Sequence, residues 1–225
     1  MPVFRLRKGV VGFPDPRLAE DDGLLAVGGD LSVDMLLLAY SNGIFPWFNE
    51  GDPVLWWCPH ERFIIRPGNI HVSKSMQKFM RRHETYIMLN RDFADTMHRC
   101  RIKREFNEGT WITDDMEKAY GALRKAGYAA SVESYIDGER AGGLYGVCIG
   151  HNFFGESMFT DIENGSKLAL IHLARYLAKN GFNMIDCQFR TDHLASMGGE
   201  MISYDEYMKL LRQDRFRDAA DNNRD

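Results

Sequence analysis

Two apolar stretches of the sequence carry polar side chains whose type and spacing could do chemistry. In "HNFFGESMFTDIENGSK", one carboxylate, Glu156, lies among three Phe and a Met. Such a carboxylate either lies on the solvated face of a half-buried strand or meets a ligand with an apolar body and a polar head. In "FNMIDCQFR", the alternation of a strand places Asp186 and Gln188 on one face of an otherwise apolar segment. This pair either solvates a strand face and nearby backbone groups or projects into a site.

An aromatic stretch lies closer to the N-terminus. The segment "GIFPWFNEGDPVLWWCPHERF" contains three Trp and three Phe and is interrupted by three Pro. So many aromatic side chains predict an ordered wall, which forms either the packing between two domains or one side of a pocket.

A cationic segment runs from Lys74 to Arg104, where nine Lys and Arg stand against three acids although the whole chain has a net charge of -4. Within it, "SKSMQKFMRR" has helical spacing. Its cations recur on one face as a stripe that consists of Lys74, Lys78, Arg81 and Arg82. A stripe of this kind is either a solvated surface or a site for a polyanion such as an RNA backbone.

The composition is that of a globular protein, with 225 residues, 44% hydrophobic and 27% charged. No apolar run reaches the length of a membrane span and no secretory signal opens the chain, so we expect a cytoplasmic protein with no membrane partner. The four cysteines form no CxxC pair, which argues against a zinc site and a redox motif. We therefore expect reduced thiols.

The elements that must position these residues fall into two predicted units. Residues 1–62 form a small N-terminal unit with a helix through "VDMLLLAYSN", capped by Ser32 and ended by Gly43. In residues 63–225, Thr113 caps a helix, and three strands of an antiparallel meander follow. A further helix covers about residues 166–180 and leads into a strand that joins the sheet in parallel. The predicted fold class is α+β with a mixed, mainly antiparallel sheet.

The chain also resembles a known family. The motifs "GIFPWF", "LWWCPHERFII", "EGTWIT", "GGLYGV", "FFGESMF", "NGSKLAL" and "IDCQ" occur in the order and spacing of bacterial leucyl/phenylalanyl-tRNA-protein transferases, from about Gly28 to Ser203. The resemblance implies a C-terminal domain related to the Gcn5-type acetyltransferase fold behind a small family-specific domain. It also implies transfer of Leu, Phe and, less readily, Met from aminoacyl-tRNA to the N-terminal Arg or Lys of an acceptor protein, which creates an N-degron.

The resemblance carries over to particular side chains. Leu144, Phe153 and Met158 match positions of the pocket for the aminoacyl side chain, and the family more often has Met where this chain has Leu144. Trp47 and Trp111 are available to cover the terminal adenosine or the side chain. Because Leu and Met have similar volumes, we expect little effect of the difference. The cationic stripe is expected to contact tRNA.

The implied reaction is aminolysis of an ester that the tRNA already activates, so no ATP, metal or other cofactor is expected. We also expect a monomer. An α-amino group has a pKa of about 8, so part of it is neutral at cytoplasmic pH. The resemblance assigns catalysis to Asp186, Gln188 and Glu156, with Gln188 holding the amine, Asp186 polarising or orienting Gln188, and Glu156 at the rim. Proton transfer through the terminal ribose hydroxyl is the alternative, and Asp186 is either an orienting group or a general base.

Two other functions compete with this interpretation. A CoA-dependent N-acyltransferase on the same fold would carry a (Q/R)xxGx(G/A) loop, whereas the corresponding junction reads "TDIENGSK". An RNA-binding module would use the cationic stripe and the aromatic residues but would leave Glu156, Asp186 and Gln188 without a role.

Overall fold

The structure is a computed structural model that describes residues 3–105 and 111–221 of the chain. Its N-terminal part contains a small sheet made of β1 (Phe4–Leu6), β2 (Leu24–Gly28), β3 (Phe45–Pro46) and β4 (Leu55–Trp57). These strands lie in the order β1-β2-β4-β3, with β1 parallel to β2 and the other pairs antiparallel. Helix α1 (Val33–Tyr40) connects β2 to β3.

A larger sheet of seven strands follows, in the order β11-β5-β10-β9-β8-β7-β6. Its strands are β5 (Glu61–Ile65), β6 (Thr85–Leu89), β7 (Ala129–Ile136), β8 (Glu139–Ile149), β9 (Asn152–Thr160), β10 (Met184–Gln188) and β11 (Glu200–Ser203). Strand β10 runs parallel to β9, and every other neighbouring pair is antiparallel. The predicted α+β class with a mixed, mainly antiparallel sheet is confirmed. The predicted domain boundary after residue 62 lies within β5 and stays a prediction.

Helices cover both faces of the large sheet. They are α2 (Lys74–Arg82), α3 (Phe93–Glu105), α4 (Asp114–Lys125), α5 (Gly165–Lys179), α6 (Asp192–Ser196) and α7 (Tyr204–Asp221). The apolar residues of α5 form one core with Leu144, Phe153 and Ile185 of the sheet. Alternate residues of the same strands, such as Phe154, face the opposite side and share a core with the small sheet and α1.

Most local predictions are confirmed because they rest on local chemistry. The Thr113 hydroxyl accepts a hydrogen bond from the Met116 backbone N–H at 3.3 Å, which starts α4. Between β7 and β8, Asp137 and Gly138 both have positive φ, as a tight two-residue turn of the hairpin requires. Helix α2 also forms as predicted, and α5 begins one residue before the predicted start.

Ser32 is the N-cap residue of α1, as predicted, but the hydrogen bond expected from such a cap is absent, because its side chain accepts none from the first turn of the helix. Its backbone N–H instead donates to Asp30 Oδ1 at 3.0 Å, so the turn before the helix is organised by Asp30. The helix ends at Tyr40, and Gly43 takes the left-handed φ of 74° soon afterwards.

The prediction that Asp186 and Gln188 share one strand face is also wrong. The pairing of β10 with β5 shifts between these two residues, and Gln188 has a left-handed φ of 62°. A shift of this kind interrupts the alternation of side chains along a strand. Gln188 therefore lines a cavity, whereas Asp186 is buried against Arg62 and Tyr207.

The contacts of Asp186 form a buried ionic cluster in the sheet. Arg62 Nε lies 2.9 Å from Asp186 Oδ1, and Arg62 Nη2 lies 2.9 Å from Oδ2. The Tyr207 hydroxyl donates to Oδ2 at 2.7 Å. The Arg62 guanidinium lies between the rings of Phe45 and Tyr207, 4.7 Å from each ring centroid. The side chains of Arg62 and Asp186 are 1% and 0% exposed, so each charge depends on the other for compensation.

We expect Arg62→Met to lower the free energy of unfolding by about 3 kcal/mol or more, because it leaves the Asp186 charge buried and unpaired. The measurement is urea unfolding at pH 7. Arg66→Met is the matched control: Arg66 pairs with Glu200 and Glu206 on the surface, so its loss should cost less than about 1 kcal/mol. Equal losses in the two variants would contradict a special role for the buried pair.

Candidate active site

A cavity of about 370 Å³ opens in the large sheet where β9 and β10 stop pairing. The parallel register of the two strands ends at the pair of Phe154 with Asp186. Beyond this pair, Glu156 of β9 and Gln188 of β10 both line the cavity. The divergence of two neighbouring strands therefore makes room for a ligand inside the sheet.

The structure brings most of the predicted aminoacyl-site residues together around this cavity. Seven of the eight line it, namely Trp47, Trp111, Leu144, Phe153, Glu156, Met158 and Gln188. The exception is Asp186, which lies in the ionic cluster behind the wall. The motif "EGTWIT" is only partly visible, because Glu108, Gly109 and Thr110 lie outside the described residues.

The inner wall of the cavity is apolar. Leu144 and Phe153 are 3% and 1% exposed, and they pack in the same core as Leu170 of α5 and Ile185 of β10. Both Leu170 and Ile185 also line the cavity. An apolar wall of this kind favours an aliphatic or aromatic group over a charged one.

The mouth of the cavity carries an aromatic cluster. The ring of Trp47 is 42% exposed and lies 5.6 Å from the Trp57 ring and 5.5 Å from the Phe189 ring, measured between centroids. Phe189 also meets the ring of Phe45 edge-on. In contrast, Trp56 is fully buried in the core. The aromatic stretch thus has both of the expected roles, because some of its side chains pack in the core of the small sheet and others line the cavity.

Glu156 reaches the cavity because β9 contains one extra residue. The pairing of β9 with β8 steps from Ser157 to Gly155 and leaves Glu156 without a partner residue. Such a bulge redirects the side chain of the extra residue. Glu156 is consequently buried, at 6% exposure, which corrects the alternative that it lies on the solvated face of a strand.

Three donors surround the Glu156 carboxylate. The Tyr40 hydroxyl lies 2.7 Å from Oε1 and the Tyr120 hydroxyl 3.1 Å from Oε2, and the two hydroxyls also contact each other. Gln188 Nε2 donates to Oε1 at 3.1 Å. Burial raises the pKa of Glu156 to about 7, against the opposing effect of the hydrogen bonds from Tyr40 and Tyr120. The site thus contains a carboxyl group that can change protonation near neutral pH.

Asp186 acts on Gln188 through the backbone. Asp186 Oδ1 accepts a hydrogen bond from the Gln188 backbone N–H at 2.8 Å, which holds the left-handed turn at that residue. The remaining hydrogen bonds of its carboxylate come from Arg62 and Tyr207. Asp186 therefore positions the end of β10 without reaching the cavity.

The cationic stripe lies on the solvent face of α2. The hydroxyl of Ser73 caps the helix, and Met76 is its buried residue. The four stripe residues are Lys74, Lys78, Arg81 and Arg82, and all are exposed. None of them pairs with a carboxylate among the side chains that the structure describes, those of residues 3–103 and 111–213. Unpaired cations on one helix face are available for an anionic partner.

Sequence reasoning missed the roles of four buried polar residues around the site, which are Tyr40, Arg62, Tyr120 and Tyr207. Tyr40 and Tyr120 lie on apolar helix faces and look like core residues in the sequence. The available signal was chemical, since a buried Tyr hydroxyl requires a hydrogen-bond partner.

The remaining chemistry of the described residues is limited. The four cysteines are free thiols, as expected. Within residues 3–105 and 111–221, no group of three or more His, Cys, Asp or Glu residues could hold a metal ion. No helix in the same part of the chain has both the length and the apolar character needed to cross a membrane.

Comparison with solved structures adds only a weak likeness. A conserved protein of unknown function from Bacteroides thetaiotaomicron VPI-5482 aligns with 63% of this chain and 58% of its own, at 13% identity and a TM-score of 0.42. A likeness at this level does not assign the fold of the C-terminal part.

Sequence comparison is decisive. Residues 64–212 match the leucyl/phenylalanyl-tRNA protein transferase family, and residues 29–60 match the N-terminal domain of that family. The leucyl/phenylalanyl-tRNA-protein transferase of Desulfatibacillum aliphaticivorans is 49% identical over 95% of this chain and 91% of its own. The protein of the same name from Nitrosospira multiformis is 50% identical over 87% of this chain and 84% of its own. This chain therefore belongs to the leucyl/phenylalanyl-tRNA-protein transferase family.

Proposed function

We propose that this chain transfers Leu or Phe, and less readily Met, from aminoacyl-tRNA to the N-terminal Arg or Lys of an acceptor protein, which creates an N-degron. The observation that carries the proposal is the cavity, in which an apolar inner wall ends at the polar pair of Glu156 and Gln188. Its volume of about 370 Å³ lies within the usual range of ligand sites. An aminoacyl group has the matching shape, with an apolar side chain next to a polar amino group and ester.

The cavity residues divide into two roles in this proposal. Leu144, Phe153 and Met158 hold the aminoacyl side chain by apolar contact. Trp47 and Trp111 line the cavity as well, and the exposed ring of Trp47 offers a stacking surface for the terminal adenosine. With the adenine stacked on the Trp47 ring and the aminoacyl side chain against the inner wall, the ester would be held between these two contacts.

The polar pair has the chemistry that aminolysis needs. The ester bond breaks as the neutral α-amino nitrogen forms an amide bond, and the amine proton leaves with the ribose oxygen. Gln188 cannot act as a base, but its amide oxygen can accept a hydrogen bond from the attacking amine. Orientation of the amine against the ester carbonyl lowers the barrier without a strong base.

We infer that Asp186 orients Gln188 and takes no proton from the substrate. Its carboxylate lies outside the cavity lining and is engaged by Arg62, Tyr207 and the Gln188 backbone. A general base must come within hydrogen-bond reach of the proton that it removes. This position favours the orienting role over the base.

Further parts of the proposal concern the whole protein. We propose that the C-terminal part is related to the Gcn5-type acetyltransferase fold, with a separate N-terminal domain. We also propose that the enzyme is a monomer and works in the cytoplasm, where aminoacyl-tRNA is available. A size-exclusion profile at twice the monomer mass would oppose the monomer.

The first test of the function uses radiolabelled leucyl-tRNA and an acceptor protein that begins with Arg. We expect label in acid-insoluble, RNase-resistant protein, and competition by unlabelled phenylalanyl-tRNA above methionyl-tRNA. The same acceptor with an acetylated N-terminus has no free amine and should stay unlabelled. Label retained only as RNA would indicate an RNA-binding module, and transfer from an acyl-CoA in place of tRNA would indicate an N-acyltransferase.

The role of Asp186 is tested by the rate of the double variant Arg62→Met/Asp186→Asn relative to the wild type. Because the double variant removes both buried charges, it avoids the unpaired charge that a single substitution leaves. We expect kcat values within tenfold of each other across pH 6 to 9 at saturating tRNA. A further loss of about 10²- to 10⁴-fold would identify Asp186 as the base.

The cationic stripe is tested by the salt dependence of tRNA binding. Lys78→Ala/Arg81→Ala should reduce the slope of log K against log salt by somewhat under two units, just under one for each lost phosphate contact. The control is Lys125→Ala/Lys179→Ala, which removes two exposed cations from α4 and α5. If both pairs of substitutions leave the slope unchanged, the stripe is only a solvated surface.

A further inference from the structure

Two phenol groups hold the Glu156 carboxylate from outside the cavity. Tyr40 of α1 and Tyr120 of α4 are both 0% exposed, and neither lines the cavity. Their hydroxyls bind the two oxygens of Glu156 and also contact each other. Tyr40 lies in the segment that matches the N-terminal family domain, whereas Glu156 lies in the part that matches the C-terminal family domain. The contact therefore joins the two family segments at the site.

The Glu156 carboxylate in turn determines how the Gln188 amide is turned. Its Oε1 receives the Gln188 Nε2 donor at 3.1 Å, and an ionised carboxylate can only accept. The amide NH2 must therefore face Glu156. The amide oxygen then remains for the ligand, since no donor in the described residues is recorded for it and Gln188 lines the cavity.

The number of protons shows that the contact between Glu156 and Gln188 survives titration of Glu156, whereas the contact between the two phenols has a proton only when Glu156 is protonated. Three oxygen contacts join Tyr40, Tyr120 and Glu156, but two phenols carry only two protons. When Glu156 is protonated, a closed ring forms in which Glu156 donates to Tyr120, Tyr120 to Tyr40, and Tyr40 back to Oε1. When Glu156 is ionised, both phenols donate to it. In both states Oε1 still accepts from Gln188.

We infer that Tyr40 and Tyr120 are positioning residues for aminoacyl transfer, which act through Glu156 to keep the Gln188 amide oxygen directed at the attacking amine. This inference rests on the proposed function. Without the two hydroxyls, Glu156 can leave its position, and the Gln188 amide is then free to rotate. Rotation of the amide directs its NH2 group at the attacking amine, so a donor takes the place of the acceptor.

The test compares Tyr40→Phe and Tyr120→Phe in the wild-type and Gln188→Ala backgrounds. In the wild-type background, we expect each substitution to lower kcat about tenfold, the effect of one hydrogen bond to a charged group, with an unchanged KM for leucyl-tRNA. In the Gln188→Ala background, each should have no further effect, because both act through that residue. Tyr135→Phe is the control, since Tyr135 is also buried, at 8% exposure, but stacks on Tyr86 away from the site.

A second measurement needs no catalysis and separates this inference from the proposed function. The side-chain NH2 signals of ¹⁵N-labelled Gln188, assigned by their loss in Gln188→Ala, should exchange slowly with solvent in the wild type. Exchange should become at least tenfold faster in Tyr40→Phe and Tyr120→Phe, but not in Tyr135→Phe.

The outcomes are distinct. Equal kcat losses in both backgrounds, or unchanged exchange of the Gln188 amide, would overturn the positioning role. Protected Gln188 signals in a wild-type protein that transfers no leucine would instead overturn the proposed function and keep the geometry. Each tyrosine tests the inference independently, so a variant that does not fold leaves the other to decide.

Discussion

Compensation of one buried charge organises this structure. Asp186 is fully buried, so its carboxylate needs a cation and further donors at short distance. Arg62 meets this need from β5, Tyr207 from α7 and the Gln188 backbone from the end of β10. Because Phe45 covers the guanidinium, the small sheet is tied to the same cluster.

The end of β10 follows from this compensation. The Gln188 N–H turns toward Asp186, and the backbone adopts a left-handed conformation that a non-glycine residue seldom takes. The turn interrupts the strand where its parallel pairing with β9 has ended. An ionic requirement in the core thereby determines both where β10 ends beside the cavity and the direction of the Gln188 side chain that lines it.

The sequence predicted features whose causes are local and missed those whose causes lie far along the chain. The cap at Thr113 and the turn at Asp137 and Gly138 depend on neighbouring atoms, so residue type was enough. The partner of Asp186 lies 124 residues away, and no local pattern identifies it. Strand alternation also cannot show where an extra residue is inserted, which is why it left the surroundings of Glu156 open and wrongly placed Gln188 on the same face as Asp186.

For the site itself, the apolar wall was predicted through family motifs, not through periodicity. Leu144 and Phe153 have the spacing of ordinary core residues, and their position in the cavity depends on how β9 and β10 diverge. The tyrosines behind Glu156 gave even less signal, because a Tyr on an apolar helix face satisfies the pattern of a core residue. Only the tertiary contacts reveal which polar groups their hydroxyls meet.

The strand order has a consequence for synthesis of the protein on the ribosome. Strand β10 lies between β5 and β9, although β5 is made more than a hundred residues earlier. A nascent chain that ends before Met184 can pair β6 to β9 as a local meander, but β5 has no neighbour to join it to that meander. Non-local pairing of this kind slows folding and leaves apolar surface exposed until late. The cavity is lined by residues of both β9 and β10, so it cannot form before β10 has been synthesised.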